Sequence, residues 1–397
     1  MFRTNCLICG NENLAEIIDL GSHPFADTFV SKEALSQADK VYPLVLDMCE
    51  KCYCIQSRTV TQPSERYEEQ EYSYTSSNSA YARRHWESFA EEVPKTLCLK
   101  NGNILEIGSN DGYLLEQFAK HGHSVMGVDA SRAMCKLADE RGVPTFHALF
   151  DQEWSSKVGN KFDLIVANNV FNHANDPLDF VRAIEPVLAE NGSFVFEVPY
   201  WVSGVEQYRF DQIYHEHVTY YTASHVVNLF EENGIYVNSI EIVDYHGGSL
   251  RVFASRKRRD AEREVLGLRL MMRNEERFMK PDYYVNLWMP EIKKRRNTIL
   301  ADIYNRSRNG ETFVAIGAAA KGNTFLNYYN LDASVIDFVT DASPHKIGKW
   351  TPKTRIPIVG DSEVANIGPA NAIVLSWNLP PVLKEKLIEI NPELKFL

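Results

Sequence analysis

The chain has 397 residues, long enough for two or three domains, each with its own core. Apolar residues at 44% and charged residues at 24% are ordinary globular values. The net charge of -11 speaks against broad non-specific nucleic-acid binding, which needs a positive field, and leaves room for a local basic pocket. No run of about 18 apolar residues occurs, so no segment is expected to span a membrane. The opening MFRTNCLICG lacks the apolar centre of a signal peptide. The expectation is a cytoplasmic protein, monomeric, with neither nucleic-acid nor membrane partners.

The cysteines come first. Cys6 and Cys9 form CLIC, Cys49 and Cys52 form CEKC, and Cys54 follows; Cys98 and Cys135 stand alone. Two such pairs can wrap a tetrahedral Zn²⁺ through four thiolates, since each two-residue knuckle puts both sulfurs on one side of a turn. The gap between the pairs exceeds the roughly 15 to 20 residues of the common four-cysteine pattern, so a hairpin or two must fill it. Disulfides are the alternative, disfavoured in a cytosolic chain. Four thiolates leave no open position, so the zinc is expected to be structural, with Cys54 as the alternative fourth ligand.

Residues 1–65 therefore read as a zinc-stapled module. A polar aromatic turn, YSYTSSNS, then leads into an amphipathic helix. From Asn103 the pattern alternates: strand NILEIG, helix GYLLEQFAKHG, strand SVMGVDAS, helix RAMCKLADERG, strand VPTFHALF. Strand FDLIVANNVF, helix PLDFVRAIEPVLAENG and strand GSFVFEVPYW follow. Repeated β-α units predict a parallel sheet covered by helices on both faces, and hence an α/β domain over 66–255. Its expected ending is a helix stopped near Gly234 and two extended segments turning at HGG. Residues 256–310 read as a charged helical connector, with the Arg256–Arg259 cluster a solvated end. A smaller Rossmann-like β-α domain is expected over 311–397, and no internal repeat is evident.

The strongest local signal is LEIGSNDGYLLEQ, where a strand ends in an acid and a glycine-rich turn opens a helix. It lacks the spacing of a dinucleotide loop and the Gly-Lys-Ser/Thr of a phosphate loop. Gly108 permits close approach of a ligand to the backbone, and Glu106 suits an ammonium group. Asp129 ends the second strand roughly 20 residues on, where doubly wound folds bind ribose hydroxyls. Together these residues suit S-adenosylmethionine better than a pyrophosphate; the bland alternative is a plain strand–helix turn.

EIGSNDG, the acid of VDAS and the ANNVFNH after the fourth strand resemble class I methyltransferases. The whole chain resembles the three-domain sugar C-methyltransferases that act on nucleotide-linked 4-keto-deoxysugars. The resemblance runs through CxxC…CxxC, YSYTSSNS, the methyltransferase core, YHEH, HGGSLR and a C-terminal GAAAKGNT…DASPHKIGK…TRIPI…LSWN. It implies a structural zinc module, a class I methyltransferase core binding S-adenosylmethionine, and a C-terminal domain that helps bind the sugar nucleotide. Carried over by residue, it makes Glu106, Gly108, Asn110, Gly112, Asp129 and Asn168 the cofactor-binding candidates. Tyr74 and His173 become active-site residues and His217 the general base, with Glu216 and Tyr214 beside it; His215 receives no role. Lys321 and Asn323, after the strand ending at Gly317, are candidates for the diphosphate, and Lys346 and His246 are further substrate-binding candidates.

The chemistry requires such a base. Carbon offers no lone pair, but a carbon beside a ketone can lose a proton and attack as an enolate. An imidazole titrating near neutrality suits that abstraction, a glutamate can fix its tautomer, and tyrosine hydroxyls can stabilise the enolate oxygen. O- or N-methylation of a similar sugar is the alternative within enzymes. A non-catalytic binding protein assembled through its zinc module is the alternative outside them. Structural readings also stand: Tyr74 packing on the zinc module, His173 capping a helix.

Overall fold

The structure is a computed structural model that describes all residues except 68–74, 78, 259–261 and 379, and leaves aside the side chains of 262–265 and 380–382. Tyr74 and Arg259 therefore lie outside the described residues. In chain order the strands are β1 (Leu14–His23), β2 (Tyr42–Cys49), β3 (Ile55–Ser57), β4 (Asn103–Ile107), β5 (Ser124–Asp129) and β6 (Thr145–His147). Then come β7 (Phe162–Val166), β8 (Leu188–Pro199), β9 (Thr219–Tyr220), β10 (Tyr236–Val243) and β11 (Ser249–Ser255). The last are β12 (Thr312–Ile316), β13 (Val339–Asp341), β14 (Ile358–Gly360), β15 (Ala370–Val374) and β16 (Leu394–Phe396). The chain forms two compact units: Met1–Glu16, Asp47–Glu206 and His217–Pro281 in the first, Ile17–Leu46, Gln207–Glu216 and Asp282–Leu397 in the second. No described helix is long and apolar enough to cross a membrane.

The first unit is built on a seven-stranded sheet of order β10-β11-β8-β7-β4-β5-β6. β8, β7, β4, β5 and β6 are parallel, and β11 and β10 close one edge antiparallel. The central strands β4 and β7 are buried apart from Asn103 and Asp163, as the mainly apolar runs ILEI and FDLIV demand when helices cover both faces. The helix Ala80–Thr96 starts where the Ser79 side chain accepts the Ala82 N–H. Its Ala82, Trp86, Phe89, Ala90 and Val93 recur at helical spacing and pack on Leu114, Leu115 and Phe118 of the helix Tyr113–Lys120. Phe89 is fully buried, and its loss to alanine would cost about 3–5 kcal/mol.

In the second unit a five-stranded parallel sheet of order β14-β13-β12-β15-β16 carries the helices Ala320–Tyr329 and Pro380–Ile390. The long helix Met289–Arg308 belongs to the same unit. So does the middle of the cysteine-containing module: Val30 exchanges backbone hydrogen bonds with Trp350, and Arg355 pairs with Asp39. The linear division expected from sequence does not anticipate this interleaving.

Several elements depart from expectation. A helix, Gln152–Val158, stands between β6 and β7; Asp151 caps its start and Gly159, left-handed, ends it. The fourth parallel strand stops at Val166 instead of running to Phe171, because Asn169 turns to φ +56 and a 3-10 turn takes Phe171–His173. The helix beginning at Pro177 ends at Val187, and the LAENG read as its tail already belongs to β8. β13 is only three residues, and β14 and β16 are additions.

Candidate active site

The cysteine cluster is built from two like turns. The Gly10 N–H returns to the Cys6 carbonyl and the Tyr53 N–H to that of Cys49, with Gly10 and Tyr53 both at positive φ. Each turn also points an N–H at a sulfur: Ile8 at Cys6 and Lys51 at Cys49, both 3.4 Å. The Sγ atoms of Cys6, Cys9, Cys49 and Cys52 all lie within 4.8 Å of one another. That is a closed set of soft donors, fitting Zn²⁺ with no position left for substrate. Cys54 is buried but outside the set; its hydrogen bond to Cys6 and then its burial push its thiol well up.

At the carboxyl ends of β4, β5 and β7 a cluster of buried polar groups is assembled. Glu106 is 6% exposed, and its Oε2 has no partner among the described residues. Burial, then the charges of Asp111 and Asp129, raise its carboxyl well above the usual range. Gly108 sits at φ +65, where a Cβ would stand 2.3 Å from Val170 Cγ2. Gly112, at φ +74, begins the following helix, and a Cβ there would meet Ala138 at 3.0 Å. Asp129 accepts the N–H of Asn110 at 2.8 Å and of Ser131 at 2.7 Å; burial raises its pKa. Asn110 turns its Oδ1 to the Ser76 N–H at 2.8 Å. Asn168 Oδ1 accepts from Glu197 N, while its Nδ2 is buried with no partner among the described residues. Among the described residues, Ser109, Asn169 and Asn172 add further buried polar atoms without a partner, from the same two loops. Unsatisfied buried groups are costly, and their concentration here fits a polar ligand that supplies the missing partners. Two acids suit an ammonium or sulfonium and a pair of ribose hydroxyls.

Beyond β7 the 3-10 turn presents His173, and its Asn172 carbonyl accepts the Val218 N–H at 2.8 Å. This bond ties the turn to the segment bearing His217, whose ring centre lies 5.3 Å from that of His173. His173 Nδ1 is 3.0 Å from the Tyr67 hydroxyl, and its carbonyl accepts from Arg66 at 3.1 Å. Burial first, then the charges of His217 and Arg66, hold the His173 pKa well below the usual histidine value. His217 is 6% exposed and meets Tyr220 edge-on at 6.0 Å.

The remaining candidates are dispersed. Tyr214 and Glu216 belong to the second unit and His217 to the first. His215 packs edge-on to Phe25 and Tyr42, with Nε2 3.3 Å from the Pro43 carbonyl, and burial lowers it to about 4. It is a core histidine. His246 occupies the β10–β11 turn at φ +52, against Tyr245.

In the second unit Gly317 turns at φ +85, with Ser376 Oγ 2.1 Å from where a Cβ would be. Lys321 Nζ lies 4.3 Å from the Trp377 ring centre and Arg209 3.8 Å from it, while the indole N–H donates to Asp211. Burial lowers Lys321 to about 8, Asp211 and Arg209 acting in opposite directions. Lys346 donates to the Ala318 carbonyl at 2.8 Å and so braces the turn. Asn323 is 1% exposed with its amide bound to the Ala26 carbonyl, which makes it a packing residue. The turn also echoes the first unit. Asp341 accepts from Ala318 N and Ser343 N, as Asp129 accepts from Asn110 N and Ser131 N, and both acids begin a DAS triplet. The DAS match is only three residues long, too short to mark a repeat in the sequence, and the shared geometry gives it meaning. Arg66, Tyr67 and Arg209 stand in no sequence motif and no spacing rule singles them out, while Asn172 and Trp377 lie within ANNVFNH and LSWN without an expected role.

Three family models tile the chain: a zinc binding domain over residues 6–67, a methyltransferase domain over 79–240 and a C-methyltransferase C-terminal domain over 244–393. C-methyltransferase NovU of Streptomyces niveus is 28% identical over 380 residues, 95% of this chain and 90% of NovU. The chain is an S-adenosylmethionine-dependent methyltransferase, related to C-methyltransferase NovU. Its methyl donor is S-adenosylmethionine, and the four-cysteine cluster is its zinc site. The ubiquinone biosynthesis O-methyltransferase of Coxiella burnetii (strain RSA 331 / Henzerling II) is 24% identical over 169 residues, 39% of this chain and 72% of that enzyme. Magnesium protoporphyrin IX methyltransferase from Synechocystis PCC 6803 with bound SAH overlaps 44% of this chain and 83% of its own, at 14% identity and TM-score 0.37.

Proposed function

We propose that this methyltransferase methylates the carbon beside the ketone of a nucleotide-linked 4-keto-deoxysugar. The observation that carries the reading is the pairing of His173 and His217, rings 5.3 Å apart, beside a loop whose amides are rich in buried atoms with no partner among the described residues. A carbon acceptor needs a proton removed, and neutral imidazole is the group for it at neutral pH. His217 is the base. His173 is the poorer candidate, because Tyr67 occupies its Nδ1 and burial disfavours its protonated form. Glu216 fixes the tautomer of His217, and Tyr214 and Tyr74 hydrogen-bond the sugar or the enolate oxygen.

Bound S-adenosylmethionine supplies an electrophilic methyl on a sulfonium. His217 takes the α-proton onto its imidazole and the C–H electron pair becomes the enolate, the carbon nucleophile that the methyl of bound S-adenosylmethionine would alkylate. The proton then leaves His217 for water. Glu106 holds the cofactor's ammonium end and Asp129 its ribose hydroxyls. Gly108 and Gly112 let the backbone approach, and Asn110 and Asn168 line the adenosine side. Lys321 and Arg209 attract the diphosphate of the substrate, braced by Lys346, with His246 a further sugar contact. The test is turnover of a panel of TDP-, GDP-, UDP- and CDP-4-keto-6-deoxysugars, with NMR of the product. A new methyl on carbon supports the reading. A methyl on oxygen or nitrogen, or no turnover of any keto-sugar nucleotide, overturns it.

A further inference from the structure

We infer that Asp111 is a positioning residue of the cofactor site: a latch that docks the Ser76–Ser77 strap onto the cofactor turn. Asp111 lies within EIGSNDG, yet it is 2% exposed and its acceptor capacity goes to the chain itself. Oδ1 accepts from Ser76 Oγ; Oδ2 accepts from Ser77 Oγ and from Arg141 Nη2. Arg141 also donates to Ser77 Oγ at 2.9 Å, and Arg83 holds the Ser77 carbonyl at 2.8 Å. An acid so engaged is not the ligand for a cationic cofactor, even though it stands between two that are suited to it.

What the latch secures is a chain of bonds leading to Asp129. Ser76 N–H donates to Asn110 Oδ1, and Asn110 N–H donates to Asp129 Oδ2, each at 2.8 Å. Asn110 holds φ +52, a left-handed conformation that asparagine adopts more readily than most side-chain residues and that these two hydrogen bonds hold in place. With the strap released, Asn110 is free to relax and Asp129 loses a donor that orients its carboxylate. The strap thus acts on cofactor affinity through Asn110 and Asp129, without touching the cofactor.

Calorimetric titration of S-adenosylhomocysteine into the full chain tests this. Asp111→Asn and the Ser76→Ala/Ser77→Ala double variant should each weaken binding about ten-fold, and the combined triple variant no further, because all remove one device. In an Asp129→Asn background, Asp111→Asn should add less than about two-fold. Equal losses with and without Asp129 would make Asp111 a direct cofactor ligand and overturn the latch. A lowered Tm with unchanged affinity would reduce it to fold stabilisation and also overturn it. If Asp111→Asn does not fold, the serine variants, alone and with Asp129→Asn, decide the question by the same comparison.

Discussion

The imidazoles of His173 and His217 lie with ring centres 5.3 Å apart and planes tilted by 35°, joined through the Val218 N–H to Asn172 carbonyl bond. Two positive rings at that separation repel, and burial adds to the cost, so the pair is stable with at least one ring neutral. His173 is the ring held neutral, with its pKa well below the ordinary value. Replacing Tyr67 by Phe removes the hydroxyl at His173 Nδ1 and is expected to lower kcat with little change in cofactor affinity. Steady-state kinetics alongside calorimetry read this; a kcat unaltered by Tyr67→Phe counts against the pairing as a working unit.

Cofactor affinity should rise with pH. Burial, then the charges of Asp111 and Asp129, raise the Glu106 carboxyl pKa, whereas an arriving ammonium group favours the ionised form. Binding therefore releases a proton, and affinity increases as pH climbs through the raised value. The same sign governs folding of the ligand-free chain: the folded state binds more protons than the unfolded, so stability falls as pH rises above the ordinary carboxylate range. Glu106→Gln should flatten the binding profile and weaken affinity at neutral pH, at a cost of about 1.5–3 kcal/mol. A wild-type profile flat from pH 5 to 9, about the working range of the titration, places the acid elsewhere.

Gly108→Ala should abolish cofactor binding while leaving the fold intact. The added Cβ meets Val170 Cγ2 at 2.3 Å, on a backbone at φ +65 that alanine adopts only under strain. The measurement is far-UV circular dichroism beside cofactor titration. Unchanged affinity would mean that the turn does not contact the ligand.

Much of this architecture was legible, for identifiable reasons. NILEIG and SVMGVDAS announce buried parallel strands because both their faces must be apolar, and the acids at their ends break that rule visibly. The paired CxxC turns announce a metal because thiolates at that spacing have few other uses. What stayed hidden depended on long-range contact. Asn323 resembles a phosphate ligand in sequence, yet its amide is taken by a carbonyl 297 positions away. Arg66 and Tyr67 attain their place only when a segment over a hundred residues distant folds onto them. The helix Gln152–Val158 did carry its own signal, an Asp cap and a terminal glycine, which the apolar pattern of its neighbours outweighed.

Substrate affinity should fall above pH 8. Burial lowers Lys321 to about 8, so its charge is present below that pH and lost as pH rises through it. KM for the sugar nucleotide is expected to increase across this interval, and Lys321→Arg, which stays charged, should remove the increase. A KM independent of pH between 7 and 9, about one unit either side, would take Lys321 out of the diphosphate site.

The zinc site should be separable from the chemistry. Purified protein is expected to hold about one Zn²⁺ per chain, and Cys49→Ser should lower Tm and solubility before it alters turnover of the folded fraction. Zinc-free protein of undiminished stability and activity would show that the four sulfurs, though within 4.8 Å of one another, hold no structural ion.

The central claim is that His217 removes the proton from carbon, and isotope exchange isolates that step from methyl transfer. In D₂O, with the keto-sugar nucleotide and S-adenosylhomocysteine in place of the methyl donor, the enzyme should exchange the substrate's α-hydrogen for deuterium, followed by NMR. His217→Asn should lose exchange by about 10²- to 10⁴-fold while binding both ligands, and His173→Asn should retain most of it. Exchange that persists in His217→Asn and vanishes in His173→Asn would contradict the account and make His173 the base.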